Sequence, residues 1–305
     1  MQKLEGREYS VFEEVLQKAK AKGAIKVAVA QPTDETSLSG VVDSYQAGLI
    51  DPILVGDEAK IRKLAQELNY DISSFTIINA IDDKEAAAKA VEFATKGEVK
   101  ALMKGNLHTN DIMGAVVKRD AGLRTDRSIT HAFIMDIPAY HKGLFIADAA
   151  INIAPDINVK MSIMKNTVDL AHKLGIKTPK VGILSAVEMP YEKIPSSMEA
   201  HELTQMAKTE LKDALVYGPL AFDNAISKLS AKIKKIDSEV CGDPDILIAP
   251  QIESGNILFK ALVYLAYAKV AGVVLGAKVP VILTSRADNA EARVASSALA
   301  VLASE

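Results

Sequence analysis

The residues best suited to chemistry are Thr284, Ser285, Arg286 and Asp288, which follow one another with only Ala287 between. They come directly after the apolar run Pro280-Val281-Ile282-Leu283, and an alanine-rich helical pattern follows them. The pattern predicts a buried strand, a short turn and a helix N-terminus. Such a turn gathers backbone N–H groups and the positive end of a helix at the carboxyl edge of a sheet. Arg286 adds a fixed cation whose planar fork suits phosphate or carboxylate. The stretch therefore reads as an anion holder. The same residue types cap helices, so the competing reading is that Thr284, Ser285 or Asp288 caps the last helix while Arg286 is solvated.

A second turn has the same shape. The strand-like Val99-Lys100-Ala101-Leu102-Met103 runs into Lys104-Gly105-Asn106-Leu107-His108. Lys104 could meet an anion or sit solvated beside the turn, and His108 reads as a loop hydrogen-bonder. Arg119, Arg124 and Arg127 lie just before another strand. Such charge runs are usually solvated faces, though three arginines could also serve a polyanion.

Other chemistries lose support. No GxxxxGK[ST] loop is present, and no GxGxxG follows the first strand, which speaks against nucleotide-triphosphate hydrolysis and ordinary dinucleotide binding. No HExxH, cysteine cluster or EF-hand pattern argues for a metal. No GxSxG elbow occurs. The five histidines (108, 131, 141, 172 and 201) are scattered. Cys241 is the only cysteine, which excludes an internal disulfide and reads as a buried structural residue.

The elements that must position these residues alternate along the chain. Short apolar strands at Ile25–Ala30, Asp51–Asp57, Phe75–Asn79 and Val99–Met103 are separated by amphipathic helices. That alternation is the signature of βαβ units and a parallel sheet. Ile129–Asp136 and Leu144–Asp148 look like a β-pair. Beyond them come a long helix at Val159–Leu174, a strand at Val181–Leu184, a loop from Ser185 to Ser197 and a helix at Met198–Leu211. A strand at Ala214–Pro219, a helix opening at Phe222, a polar excursion from Lys232 to Asp243, a strand at Asp245–Pro250 and a helix at Ser254–Val270 complete the series.

The chain has 305 residues, 49% hydrophobic and 25% charged, with a formal net charge of −3. The length suits two domains with ample core. The charge offers no broad basic field, so neither nucleic acid nor a membrane surface is an expected partner. The N-terminus carries no apolar signal region and no run reaches membrane-spanning length, so a cytoplasmic location is the default.

Taken in order, several segments resemble the phosphate acetyl/butyryltransferase family. They are Val55-Gly56-Asp57, Leu102-Met103-Lys104-Gly105, Gly122-Leu123-Arg124-Thr125 and Tyr217-Gly218-Pro219-Leu220-Ala221-Phe222-Asp223-Asn224-Ala225. Asp245-Ile246-Leu247, Ser254-Gly255-Asn256 and Leu283-Thr284-Ser285-Arg286-Ala287-Asp288 continue the series. The form of the last segment, with Leu184-Ser185-Ala186-Val187-Glu188, is most similar to the phosphate butyryltransferase branch.

The resemblance implies a two-domain α/β fold of the isocitrate/isopropylmalate dehydrogenase kind, with mostly parallel sheets and an interdomain cleft. Residues 1–140 and 277–305 would form a discontinuous domain and 141–276 the second. It also implies the reversible reaction of acyl-CoA with phosphate to give acyl phosphate and CoA, by direct transfer in a ternary complex. No cofactor or metal is implied, coenzyme A being a substrate, and the chain would form a homodimer or higher homo-oligomer. Ser285 and Arg286 match the family's Ser-Arg pair. Arg286 is assigned to phosphate or acyl phosphate, and Ser285 to a hydrogen bond to the thiolate or the oxyanion. Thr130 would help to hold phosphate, and Lys104, Asp223 and Asn256 are further motif positions. In acetyl-type members an aspartate proposed to deprotonate CoA stands seven residues after the serine. Here that position is Ala292, which leaves Asp288, Glu291 or no base at all.

Two other readings compete. A decarboxylating dehydrogenase of the same architecture calls for a nucleotide-binding element and clustered acidic metal ligands, and neither is evident. A non-catalytic CoA or acyl-phosphate sensor calls for lost catalytic residues, yet Ser285 and Arg286 are both present. Butyryl is favoured over acetyl by branch resemblance alone, since a pocket separates neighbouring acyl chains by only ~1–3 kcal/mol.

Overall fold

A computed structural model of the chain describes residues 8–284 and 289–304. It divides into two compact units. The split unit comprises Phe12–Arg127 and the chain from Ala271 onward, and the inserted unit comprises Ser128–Val270 with the chain up to Val11.

The first stretch of the split unit runs α1 (Val11–Lys22), β1 (Ile25–Ala30), α2 (Glu35–Gln46), β2 (Ile50–Gly56), α3 (Glu58–Glu67), β3 (Thr76–Asn79), α4 (Asp83–Thr95), β4 (Ala101–Lys104) and α5 (Thr109–Val117). The inserted unit follows with β5 (Thr130–Asp136), β6 (Leu144–Ala147), α6 (Ile157–Lys173), β7 (Lys180–Leu184), α7 (Pro195–Glu210), β8 (Leu215–Leu220), α8 (Phe222–Ile226), α9 (Lys228–Ile233), β9 (Ile246–Ile248) and α10 (Ile252–Leu265). The chain returns through β10 (Lys269–Leu275), β11 (Val281–Ile282) and α11 (Ala290–Ala303).

In the split unit the strands lie in the order β3-β2-β1-β4-β11-β10. All pair in parallel except β10, which is antiparallel to β11. The last four residues of β1 and the first three of β4 are fully covered, as a strand flanked by helices on both sheet faces requires. That is why these strands appear in the sequence as unbroken apolar runs. Asp34, Asp57 and Asp82 each cap the helix after their strand, accepting the N–H of Ser37, Lys60 and Glu85 respectively. α11 packs on α2, where the hydroxyls of Ser44 and Ser297 meet at 2.9 Å.

In the inserted unit the order is β5-β6-β9-β7-β8. β6, β9, β7 and β8 are parallel and β5 is antiparallel to β6. Thr130, at the start of β5, therefore lies on the same edge as the carboxyl ends of the four parallel strands.

The compact units change at 127/128 and 270/271, where the sequence reading divides the chain at 140/141 and 276/277. β5 pairs with β6, which keeps residues 128–140 with the strand that follows. The Asp136 carboxylate accepts the N–H groups of Ser10 (2.9 Å) and Val11 (2.8 Å), which ties the first described residues to the inserted unit. α10 is shorter than the pattern predicts. Tyr267 adopts φ 55°, and the N–H groups of Ala266 and Ala268 both return to Leu262 O, closing the helix before Lys269 enters β10. α7 begins inside the expected loop, with Pro195 at its first position. α9, capped by Ser227, reaches only Ile233, just inside the expected polar excursion.

Candidate functional site

The split unit reverses strand order between β1 and β4, since β2 and β3 lie to one side of β1 and β4 to the other. Ligands in open α/β sheets bind at such a point, outside the carboxyl ends of the strands. Ala30 pairs with Lys104 there, and Ile282 of β11 pairs with Met103. The backbones converge on Gln31. Its carbonyl accepts the N–H of Thr33 (2.8 Å) and Asn106 (2.6 Å), and its own N–H goes to Val55 O (2.7 Å). Gln31 is buried and adopts φ 53°, a conformation uncommon for a residue with a side chain. Lys104 is half-buried, and its ammonium donates to Gly105 O at 3.1 Å. This lysine ends β4, the strand between β1 and β11.

β11 ends at Ile282, followed by Leu283 and Thr284. Ser285, Arg286 and Asp288 lie outside the described residues. Asn289 provides the cap of α11, its side chain accepting the N–H of Ala292 at 2.8 Å. The sequence reading offered Thr284, Ser285 or Asp288 for that task and overlooked Asn289. Ala292, at the position of the acetyl-type aspartate, is 8% exposed and faces the core. Glu291 is exposed in the first turn of α11.

In the inserted unit the sequence-picked residues occupy one edge. Thr130 opens β5, Asp223 lies in α8 directly after β8, and Asn256 lies in the second turn of α10 after β9. The backbone before Thr130 is held by two asparagines: Asn166 Nδ2 donates to Ser128 O and Asn152 Nδ2 to Ile129 O, both at 2.9 Å. Thr130 itself is fully buried, and its hydroxyl has no hydrogen-bond partner among the described residues. Its neighbour His131 is 2% exposed, and neither ring nitrogen has a partner among the described residues. Burial alone pushes the His131 imidazole down to about 3, so the ring is neutral near pH 7. Leaving a buried donor unmet costs about 1–3 kcal/mol, so these atoms require an account.

Asp148 closes the same edge. Its carboxylate accepts the N–H groups of Ala150 (2.9 Å), Ile151 (3.1 Å) and Asn152 (3.1 Å) and the side-chain amide of Asn152 (2.6 Å). Burial pushes its titration upward against the pull of these donors. Gly255 brings α10 against this loop: a Cβ there would stand 2.7 Å from Asp148 O, so a larger residue would force the helix away. Asn256 Nδ2 then donates to Ala149 O at 3.1 Å. The Asp223 carboxylate is taken locally by the Ser230 hydroxyl and is exposed. Its neighbour Asn224 is fully buried, with Nδ2 unpartnered among the described residues.

Sequence reasoning missed His131, Asp148 and Gln31. His131 carried one signal, its position beside Thr130 at a strand start. Asp148 carried another, a carboxylate directly after an apolar strand.

A strongly perturbed carboxyl lies elsewhere. Burial opposes ionisation of Asp243, but hydrogen bonds from Lys180, His141 and Lys142 outweigh it and hold the carboxyl well below the usual range. Lys180 begins β7, so this cluster sits at the amino edge of the sheet. A pocket of about 540 Å³ opens beside it, lined by Lys180, Lys228, Lys232, Lys235, Asp237 and Asp243. Cys241, also on its wall, is a buried free thiol that burial pushes upward, which disfavours the reactive thiolate. Among the described residues no group of three or more His, Cys, Asp or Glu side chains is arranged to hold a metal ion. None of the described helices is long and apolar enough to cross a membrane.

Mostly parallel sheets flanked by helices, with polar residues gathered at their carboxyl edges, are the frame on which α/β proteins bind ligands. The family described as phosphate acetyl/butaryl transferase matches residues 10–96 and 83–301, and the chain belongs to it. It is 46% identical over 294 residues to a phosphate acetyltransferase of Rhizobium meliloti, covering 96% of this chain and 93% of that one. It is 39% identical over 292 residues to a phosphate butyryltransferase of Clostridium acetobutylicum, covering 95% and 97%. The crystal structure of a branched-chain phosphotransacylase from Enterococcus faecalis superposes with a TM-score of 0.80 at 30% identity, over 92% of this chain and 98% of that one. The fold extends to a 4-hydroxythreonine-4-phosphate dehydrogenase from Klebsiella pneumoniae, with a TM-score of 0.57 at 14% identity over 92% and 99% of the chains. The dehydrogenase-like α/β architecture expected from the sequence is therefore the one the chain has. The chain is a phosphate acyltransferase.

Proposed function

We propose that the chain transfers a short acyl group directly from CoA to phosphate in a ternary complex. A phosphate oxygen adds to the thioester carbonyl carbon, the C–S bond breaks, and its electron pair leaves with sulfur, which is then protonated. Arg286 holds phosphate or acyl phosphate, with Lys104 and the Thr130 hydroxyl as further donors. Ser285 donates to the departing thiolate or the oxyanion. Asp223 and Asn256 shape the edge on which substrate lies. Fixed donors stabilise developing charge better than mobile water, and holding both substrates together removes much of the entropic barrier. No metal or cofactor takes part. Asp288 or Glu291 serves as base if the branch uses one.

One positional observation carries this reading. Lys104, Asp223 and Asn256 were chosen from separate motifs and Thr130 by resemblance, and each lies at the carboxyl edge of its unit's sheet. Butyryl or a related short acyl group is preferred over acetyl, on the form of the segments Leu184–Glu188 and Leu283–Asp288. An acetyl preference is the second reading, favoured by the higher identity to the Rhizobium acetyltransferase.

The chain also acts as a homo-oligomer through α10. Ile257, Tyr264 and Leu265 on that helix are 68%, 71% and 79% exposed. Glu253 and Lys260 are exposed on either side of Ile257. Two antiparallel copies of α10 crossing near Ile257 set each Glu253 beside the other copy's Lys260, a self-complementary arrangement.

The test is thiol release from acetyl-, propionyl-, butyryl- and isobutyryl-CoA, with and without phosphate, under excess chelator. Release that requires phosphate and is abolished by Arg286→Ala supports the reading, and the substrate ranking decides the acyl class. Release without phosphate would show a thioesterase. No release from folded protein that binds CoA would leave a sensor.

A further inference from the structure

His131 is an expensive residue for its position. Its ring lies edge-on to Phe133, with centroids 4.0 Å apart and planes at 76°. Phe133 in turn stacks on Phe259 of α10 at 4.2 Å. The imidazole is thus held by an aromatic stack, in a place where phenylalanine or leucine would fill similar space without polar cost. A neutral imidazole presents one donor and one acceptor, and both lack partners among the described residues. The preceding residue, Thr130, repeats the pattern with its fully buried hydroxyl. Successive residues on a strand point to opposite faces, so two unmet donors flank the start of β5 at the carboxyl edge of the sheet. An unmet buried polar group calls for an account, and a ligand that completes it is one.

The chemistry narrows the partner. Phosphate is best met by cations and hydroxyls. An uncharged N–H suits an oxygen that is neutral in the ground state and gains charge as the reaction proceeds, because it then binds the transition state more strongly than the substrate. Of the oxygens at the reacting centre, the thioester carbonyl oxygen is the one that behaves this way. We propose that His131 is a catalytic residue, donating a ring N–H to the acyl carbonyl oxygen while the phosphate oxygen adds and the C–S bond breaks. This rests on the acyl-transfer reading above. The proton stays on the ring nitrogen throughout, and the electron pair of the broken bond leaves with sulfur. Neither nitrogen is open to water in this structure, so the contact requires the ring to be uncovered when the acyl chain binds. Burial keeps the ring neutral, which excludes it from acting as a phosphate-binding cation.

The experiment compares wild type, His131→Phe and His131→Asn by thermal denaturation and by phosphate-dependent thiol release from butyryl-CoA. His131→Phe is expected to melt at a higher temperature, because an unmet polar group is gone, and to lose about 100-fold in kcat, the scale for one oxyanion donor. Its KM for phosphate should hold, and His131→Asn, which keeps an N–H, should recover part of the rate. Wild-type kcat in His131→Phe would overturn the inference, showing that the ring only packs. A lower melting temperature in both variants, with activity falling only as the folded fraction does, would also overturn it. A raised KM for phosphate at unchanged kcat would move the contact to phosphate and overturn the carbonyl assignment. If the wild type itself shows no phosphate-dependent release, the acyl-transfer reading fails instead, and the variants are not needed to reveal that.

Discussion

Gly105 stands against the backbone of Gln31 so closely that a Cβ on Gly105 would lie 2.3 Å from Gln31 O and 2.5 Å from Ala30 O. Both are main-chain atoms at the end of β1, so no side chain can swing aside. The Gln31 oxygen already accepts the N–H of Asn106, and Gly105 N–H goes to Ala30 O at 2.8 Å.

Gly105→Ala should therefore push the Lys104 turn away from β1. Overpacking of this kind costs about 1–3 kcal/mol, and the displaced turn should lower kcat/KM further than the melting temperature implies. Denaturant unfolding beside thiol-release kinetics checks it. An alanine variant of wild-type stability and rate would show that the two loops are free to separate.

Asn289→Ala should destabilise α11 by about 1 kcal/mol, the usual loss of an N-cap. The effect should appear in the melting temperature, because α11 packs on α2 through largely buried residues. Asp288→Ala should leave that cap intact. Equal destabilisation by the two variants would contradict the assignment of Asn289 as the cap.

What was legible in the sequence, and what was not, follows from how each feature is encoded. β1 and β4 could be read because helices cover both sheet faces, which forces runs such as Val27-Ala28-Val29-Ala30. The end of α10 could not, since Tyr267 takes the left-handed conformation where a glycine would have announced it. The cap at Asn289 was hidden behind three earlier residues of cap-forming type. Lys104, Asp223 and Asn256 were found through motifs and Thr130 through resemblance, and their common placement at carboxyl edges is a tertiary fact that spacing does not contain. His131 was passed over because a lone histidine has no periodicity. Only its burial and its two unmet nitrogens distinguish it.

The exposed apolar stripe of α10 gives a test of assembly. Ile257→Glu should lower the mass seen by sedimentation or light scattering, since it places a carboxylate at the centre of the proposed crossing. An unchanged mass would remove α10 from the interface.

Asp243 should make the fold acid-sensitive in a defined direction. Its titration is lower in the folded chain than its ordinary 3.8, so the native state holds fewer protons than the unfolded state. The stabilisation is fully present above that ordinary value and is lost as the pH falls toward the lower folded one. Asp243→Asn should thus melt below wild type at pH 7, and the gap should narrow as the pH drops below about 4. A gap independent of pH would assign the loss to packing rather than to the charged contacts of Lys180, His141 and Lys142.

His131 should act in a higher window and with the opposite consequence for replacement. The unfolded ring takes up a proton near 6.5, whereas the folded ring resists until about 3. Between those values the unfolded state binds the extra proton, so wild-type stability falls as the pH drops from 6.5. His131→Phe removes that proton from the balance. Its melting temperature should exceed that of wild type at pH 7, and the excess should widen on acidification to pH 5. Thermal melts at pH 7, 6 and 5 decide it. An excess that stays constant across the three would show that the folded ring titrates much as the unfolded one does, and that its nitrogens are within reach of water.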